Sequence, residues 1–296
     1  MREADPERVV FFLQGGGACF TEGTCAFDSD TYQSSIEPGD DPSSEPGIFD
    51  LDDPRNPFAE WSMVYVPYCT GDLHLGTVTT PYSPTLTVQH KGFVNGTAAL
   101  DALASTFPDA TEIVVAGESA GAAPAPLYAG LAADRLPGAS VTVLADGAGS
   151  YPDQPAINAG IGALWGTAGT IPDWSGTEGL TVEQWSLPGL FVQAGLHVPG
   201  MVLARHDYAY DNVQTLFGQL AGFGGNDLLA LIDANEVQIE QGGVVLNSYI
   251  APGSEHTVLT SDRFYTEAVN GVPLIDWVTA LADGTPVEDV HCTECS

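Results

Sequence analysis

The chain has 296 residues, 44% of them hydrophobic, with 39 acidic side chains against 7 basic ones and a formal net charge of -32. That length suits one domain, 1–296, with a large buried core. The charge argues against nucleic acid and anionic membranes as partners, and no run of 18 or more apolar residues is long enough to span a bilayer.

The opening residues Met1 to Asp5 lack the apolar core of a signal peptide, and the first apolar run follows almost at once, so an export segment removed from ahead of it is expected. Residues 9–14 are short and apolar and end in Gly15-Gly16-Gly17, which fits a strand buried on both faces of a parallel sheet. Residues 28–57 are acidic and proline-rich, with few large apolar side chains, and read as a surface excursion. Their carboxylates lack the alternating register of an EF-hand loop, so a solvated face is expected rather than a calcium site.

Residues 63–68, 112–116 and 140–145 repeat the buried-strand character, while 94–107 and 121–136 carry apolar residues at helical spacing. Strands alternating with helices predict an α/β fold, a doubly wound, mostly parallel sheet with right-handed crossovers. Residues 155–200, rich in Gly, Trp and Leu, predict a helical cap-like insertion whose tryptophans are core. His197 and His206 fall on helical or cap-like sequence, 244–250 predicts a late strand, 273–282 a final amphipathic helix, and His291 lies in the tail.

Five cysteines stand at Cys19, Cys25, Cys69, Cys292 and Cys295. They lack the paired knuckles of a zinc site, and the C-terminal CxxC does not open a helix after a strand as a redox pair would. Disulfides in an oxidising compartment are favoured, Cys19 with Cys25 being the best single pair, and the odd count leaves at least one thiol over.

Gly117-Glu118-Ser119-Ala120-Gly121 is a G-x-S-x-G sequence between an apolar strand and an Ala-rich helical segment. Two glycines permit the sharp turn that lifts a serine hydroxyl above a sheet, and the helix behind it favours developing negative charge. The Gly15 to Gly17 loop offers backbone N–H groups at the end of the first strand. With the N–H of Ala120, that of Gly16 or Gly17 can hold a tetrahedral oxyanion, and one such donor is worth about 3 to 4 kcal/mol. Chain order in such hydrolases is nucleophile, acid, histidine. His256, in a polar loop after the late strand, suits the general base; for the acid, Asp146 at a strand end and Asp211 ahead of a helical segment both fit, and pattern alone leaves them open.

These residues together resemble the pectin acetylesterase/Notum family of serine carboxylesterases. The shared stretches are Phe12 to Phe20 with its three glycines, Asn56-Pro57-Phe58, the block from Trp61 through Pro67-Tyr68-Cys69-Thr70-Gly71-Asp72, the Gly117 to Gly121 elbow, Leu144-Ala145-Asp146, and the segments around Asp211 and His256. The resemblance implies an α/β-hydrolase fold, no metal and no cofactor, a triad of Ser119, Asp211 and His256 with Asp146 structural, an oxyanion hole from Gly16, Gly17 and Ala120, and a Cys19–Cys25 bridge. Gly17 stands where animal members have tryptophan, which implies a bacterial-type enzyme and argues against a long lipid chain as substrate.

The expected activity is hydrolysis of ester bonds through an acyl-enzyme, deacetylating a polysaccharide or a neutral ester in a secreted, salt-tolerant enzyme. The alternatives are a broad aryl-ester or polyester hydrolase and, less favoured, an inactive carbohydrate-binding protein on the same scaffold. The substrate is a small or polymeric ester, and nothing in the pattern sets the oligomeric state.

Overall fold

Five consecutive side chains, Val9 to Leu13, are fully buried, which requires a strand covered on both faces. The computed structural model describes residues 1–224 and 227–295 and gives them that position. In chain order the strands are β1 (Asp5–Leu13), β2 (Trp61–Val66), the hairpin β3 (Thr79–Ser83) and β4 (Leu86–Gln89), β5 (Glu112–Glu118), β6 (Ser140–Asp146), β7 (Val202–Tyr208), β8 (Leu246–Ala251), the short pair β9 (Ala268–Val269) and β10 (Val272–Pro273), and β11 (Val290–His291). The helices are α1 (Gly92–Thr106), α2 (Ala125–Arg135), α3 (Pro155–Trp165), α4 (Leu187–His197), α5 (Asn212–Ala221), α6 (Leu228–Gln241) and α7 (Leu274–Ala282).

Seven strands form the central sheet in the order β11-β8-β7-β6-β5-β1-β2, and every neighbouring pair is parallel. Period-two alternation sorts the side chains to two cores. Val9, Phe11 and Leu13 pack with Leu100 of α1, Tyr128 of α2 and Phe191 of α4, while Val10 and Phe12 face Trp277 and Val278 of α7. The chain steps from β1 outward to β2, then returns to the other side of β1 with β5. That reversal opens a crevice beyond the carboxyl ends of β1 and β5, where open α/β sheets bind their ligands. Both edges are partly blunted: Arg2 pairs antiparallel with Met63 along the outer side of β2, and β11 is only two residues long.

Three segments depart from the expectations. His206 lies on β7, inside the sheet, because the charged neighbours that break its apolar pattern are paired within the core. Of residues 155–200, α4 packs over the sheet through Phe191 and against Leu127 of α2 through Leu190 and Ala194, which leaves α3 and the turns around it as the cap-like part; Trp165, Trp174 and Trp185 are buried as expected. The acidic excursion is anchored at its end, where Ile48 is fully buried and its N–H bonds Leu259 O at 2.7 Å.

Candidate active site

Ser119 follows β5 directly and holds φ = +51°, a left-handed conformation that costs a non-glycine residue of order 1–3 kcal/mol and is retained where a turn must aim a side chain. The chain doubles back through the 3-10 turn Ser119–Gly121 so tightly that a Cβ on Gly117 would strike Gly121 O, and one on Gly121 would strike Leu13 O. The two glycines of the motif are therefore required by close approach of backbone to backbone.

The Gly15 to Gly17 loop lies against this turn; a Cβ on Gly15 would sit 3.2 Å from Ser119 Cβ. Gly16 and Gly17 have φ of +134° and +74°. Their carbonyls are held from behind, Gly16 O by Gln33 N–H at 2.9 Å and Gly17 O by the Tyr68 hydroxyl at 3.0 Å. The 67–74 block supplies the cradle. Tyr68 N–H donates to Gln14 Oε1 at 2.8 Å, and His74 Nε2 lies 2.9 Å from Gln14 O. Burial pulls His74 down to about 4, so the ring is neutral and this nitrogen donates. Asp72 is fully buried and takes the Thr70 hydroxyl at 2.6 Å and Gly92 N–H at 2.8 Å; burial pushes it up to about 6 despite these bonds. The block is thus a brace for the glycine loop.

Cys19 and Cys25 are disulfide-bonded beside the loop, as are Cys292 and Cys295 after β11, and Cys69 is a free thiol. Cys19 N–H bonds Gly71 O at 2.9 Å, and Trp165 Nε1–H bonds Cys19 O at 2.8 Å. Each pair is grouped with a histidine, His90 or His291, but sulfurs spent in a disulfide are not the thiolates a metal needs. Peptide mapping without reductant is expected to recover both bridges with only Cys69 alkylated. Reduction is expected to slow turnover through the glycine loop before the protein unfolds; unchanged rates on folded, fully reduced protein would count against that coupling.

Asp211 is the N-cap of α5: its Oδ1 accepts Val213 N–H at 2.8 Å and Gln214 N–H at 3.0 Å. Its Oδ2 accepts His256 Nδ1–H at 2.6 Å and the Gln214 side-chain amide at 3.1 Å. One residue therefore serves both as helix cap and as histidine partner. Gln214 in turn bonds Asp207 Oδ1 at 2.9 Å, so its amide is held between two buried carboxylates. His256 Nε2 is buried and has no hydrogen-bond partner among the described residues, and it lines the same cleft as Ser119 and the three glycines. Burial pulls the imidazole down, but the hydrogen bond and charge of Asp211, with the charges of Asp146 and Glu118, outweigh it and raise His256 above its ordinary 6.5.

Among the described residues, the hydrogen bonds of the Asp146 carboxylate go elsewhere than to His256. Its Oδ1 accepts His206 Nδ1–H at 2.8 Å, and its Oδ2 accepts Val258 N–H at 2.7 Å and Leu259 N–H at 2.8 Å. It anchors the chain just after the histidine. Three contributors were not singled out from the sequence: Gln214, whose position three residues after Asp211 puts it on the same helical turn; Thr260; and Glu118, next to Ser119, whose Oε2 accepts the Thr260 hydroxyl at 2.5 Å. Beside the cleft, and sharing Phe217 with it, lies an apolar cavity of about 110 Å³ lined by Phe20, Ile157, Ile161, Trp165 and Phe223 among others.

A family model described as Pectinacetylesterase matches residues 4–163, just over half of the 296 residues. That span includes the glycine loop and Ser119 but stops before Asp211 and His256. No curated protein sequence matches the chain.

Proposed function

From the premise that this chain belongs to the pectinacetylesterase family, whose activity is that of an esterase, we propose that it is a serine carboxylesterase acting through Ser119, His256 and Asp211. The observation that carries the reading is the imidazole itself: Nδ1 is fixed on Asp211 while Nε2 stands without a partner in the cleft that Ser119 lines.

In this mechanism Asp211 keeps the proton on Nδ1, leaving Nε2 free to take the Ser119 proton as the hydroxyl oxygen attacks the ester carbonyl. The tetrahedral oxyanion accepts N–H groups from Ala120 and from Gly16 or Gly17. Collapse expels the alcohol, which receives the proton from His256, and water then attacks the acyl-serine by the same route in reverse. No step in this sequence calls on a metal or cofactor. Two disulfides support operation in an oxidising compartment, and so a secreted protein; the acidic surface supports tolerance of salt.

The favoured substrate is an acetyl ester on a saccharide. A second reading, hydrolysis of aryl or larger acyl esters, draws support from the apolar cavity beside Phe217. A fluorophosphonate probe is expected to label the protein at Ser119 and to leave Ser119→Ala unlabelled; no labelling of folded protein would instead favour an inactive binding protein. Initial rates on acetyl, butyryl and benzoyl esters of one alcohol then separate the two substrate readings, since a filled apolar cavity favours the larger acyl groups.

A further inference from the structure

The cleft around Ser119 contains two acidic side chains, Glu118 and Asp30, and among the described residues no lysine or arginine lines it. All seven basic side chains are engaged elsewhere. Arg8, Arg55, Arg135, Arg205 and Arg263 are ion-paired with Asp5, Asp53, Asp101, Glu236 and Glu255 respectively, Arg2 donates to Trp61 O, and Lys91 donates to Thr77 O. None is left to neutralise a carboxylate brought to the site by a substrate.

We propose that this cleft selects esters of uncharged alcohols and rejects esters whose alcohol portion carries a carboxylate, as acidic sugar units do, with Glu118 as the specificity-determining side chain. The inference rests on the serine-esterase reading and narrows its substrate class to neutral saccharide or aryl esters. Glu118 is the residue before Ser119, and the Thr260 hydroxyl donates to its carboxylate, which ties it to the wall of the cleft. Unlike the surface charge, it acts within the cleft, where salt screens poorly.

Burial, followed by the charge of Asp146, pushes Glu118 up to about 7 against the opposing effects of Thr260, His256 and the Gly15 N–H. The other titratable groups near it are the Tyr65 phenol, which feels its charge and is itself held up mainly by burial, and the exposed Asp30, which lines the same cleft. Glu118 is therefore largely neutral below pH 7 and charged above it, and the rejection of anionic substrates grows as pH rises. His256 is raised as well, but its protonation stops both substrates alike and cancels in their ratio.

The test compares phenyl acetate with 3-acetoxybenzoate, which differ by one carboxylate, in 1 M NaCl, where the Debye length is about 3 Å and the long-range surface field is removed. The ratio of kcat/KM, neutral over anionic, is expected to rise about fivefold or more between pH 5.5 and 8.5 in the wild type. It is expected to stay flat in Glu118→Gln, which keeps an acceptor for Thr260, and to rise as before in Asp30→Asn. A flat ratio in the wild type, or an undiminished rise in Glu118→Gln, overturns the proposal while leaving the esterase reading in place. Hydrolysis of neither ester above the Ser119→Ala background removes both.

Discussion

Ser119→Ala and His256→Ala are each expected to lower kcat/KM on a neutral acetyl ester by about 10⁴-fold or more, because groups acting as a unit fail together. Near-ultraviolet circular dichroism should remain that of the wild type. Asp211→Asn is expected to cost roughly 10³- to 10⁴-fold, since an amide facing Nδ1 favours the wrong tautomer. Asp146→Asn tests the contrast. It keeps at most part of a carboxylate that accepts three buried hydrogen bonds, so its main effect is on stability, about 1–3 kcal/mol, with a smaller loss of turnover from the displaced 257–259 chain. If Asp146→Asn proved the more damaging to turnover in folded protein, Asp211 would have to yield its role. The acid limb of the rate profile carries a sign of its own: with His256 raised above 6.5, activity through a neutral imidazole falls as pH drops through a midpoint above that value.

Arg205→Ala is expected to destabilise the fold by about 3–5 kcal/mol, the range for breaking a buried ion pair from one side. Arg205 is 2% exposed and donates to Glu236 at 2.9 Å, Ile232 O at 3.0 Å and Ser248 Oγ at 3.2 Å, with Asp207 Oδ2 at 3.7 Å. Removing it strands Asp207, which is fully buried and already raised by desolvation against the pull of the Arg205 charge. A carboxyl raised on folding contributes stability that is complete below its unfolded value and is lost as pH rises through its folded value. The loss in Arg205→Ala should therefore be greater at pH 8 than at pH 5, as read from urea denaturation at both. A loss under about 1 kcal/mol, or one independent of pH, would mean that Asp207 draws its compensation from Gln214 and Gly149 instead.

What could be read from sequence followed hydrophobic pattern. Within β1 and β5, residues 9–13 and 113–117 are uninterrupted apolar runs, and a strand buried on both faces can look like little else. β7 escaped because Arg205, His206 and Asp207 break the run, and their partners Glu236, Asp146 and Gln214 lie 31, 60 and 7 residues away in sequence. Ile48 was hidden likewise, a single anchor within an acidic stretch. At the candidate site, the turn at Ser119 and the glycine loop were legible as backbone geometry, because close backbone approach demands glycine at fixed spacing. Pattern alone did not choose between Asp146 and Asp211, since both are buried aspartates at element ends; only the family resemblance pointed to Asp211. Which of them meets Nδ1 is decided by where the 252–260 loop crosses the sheet, and that is a tertiary property.

The treatment of the sheet edges bears on how the molecule behaves when crowded in salt. At low ionic strength a charge of -32 keeps copies apart, but molar salt contracts that repulsion to about 3 Å and leaves strand edges as the next route to association. Along β2 the backbone groups of Met63 are already taken by Arg2, and beyond β8 the two residues of β11 end in a chain turned back by the Cys292–Cys295 bridge. A neighbouring chain therefore meets edges that are partly occupied, and once charge is screened it is this backbone already satisfied that is expected to oppose association.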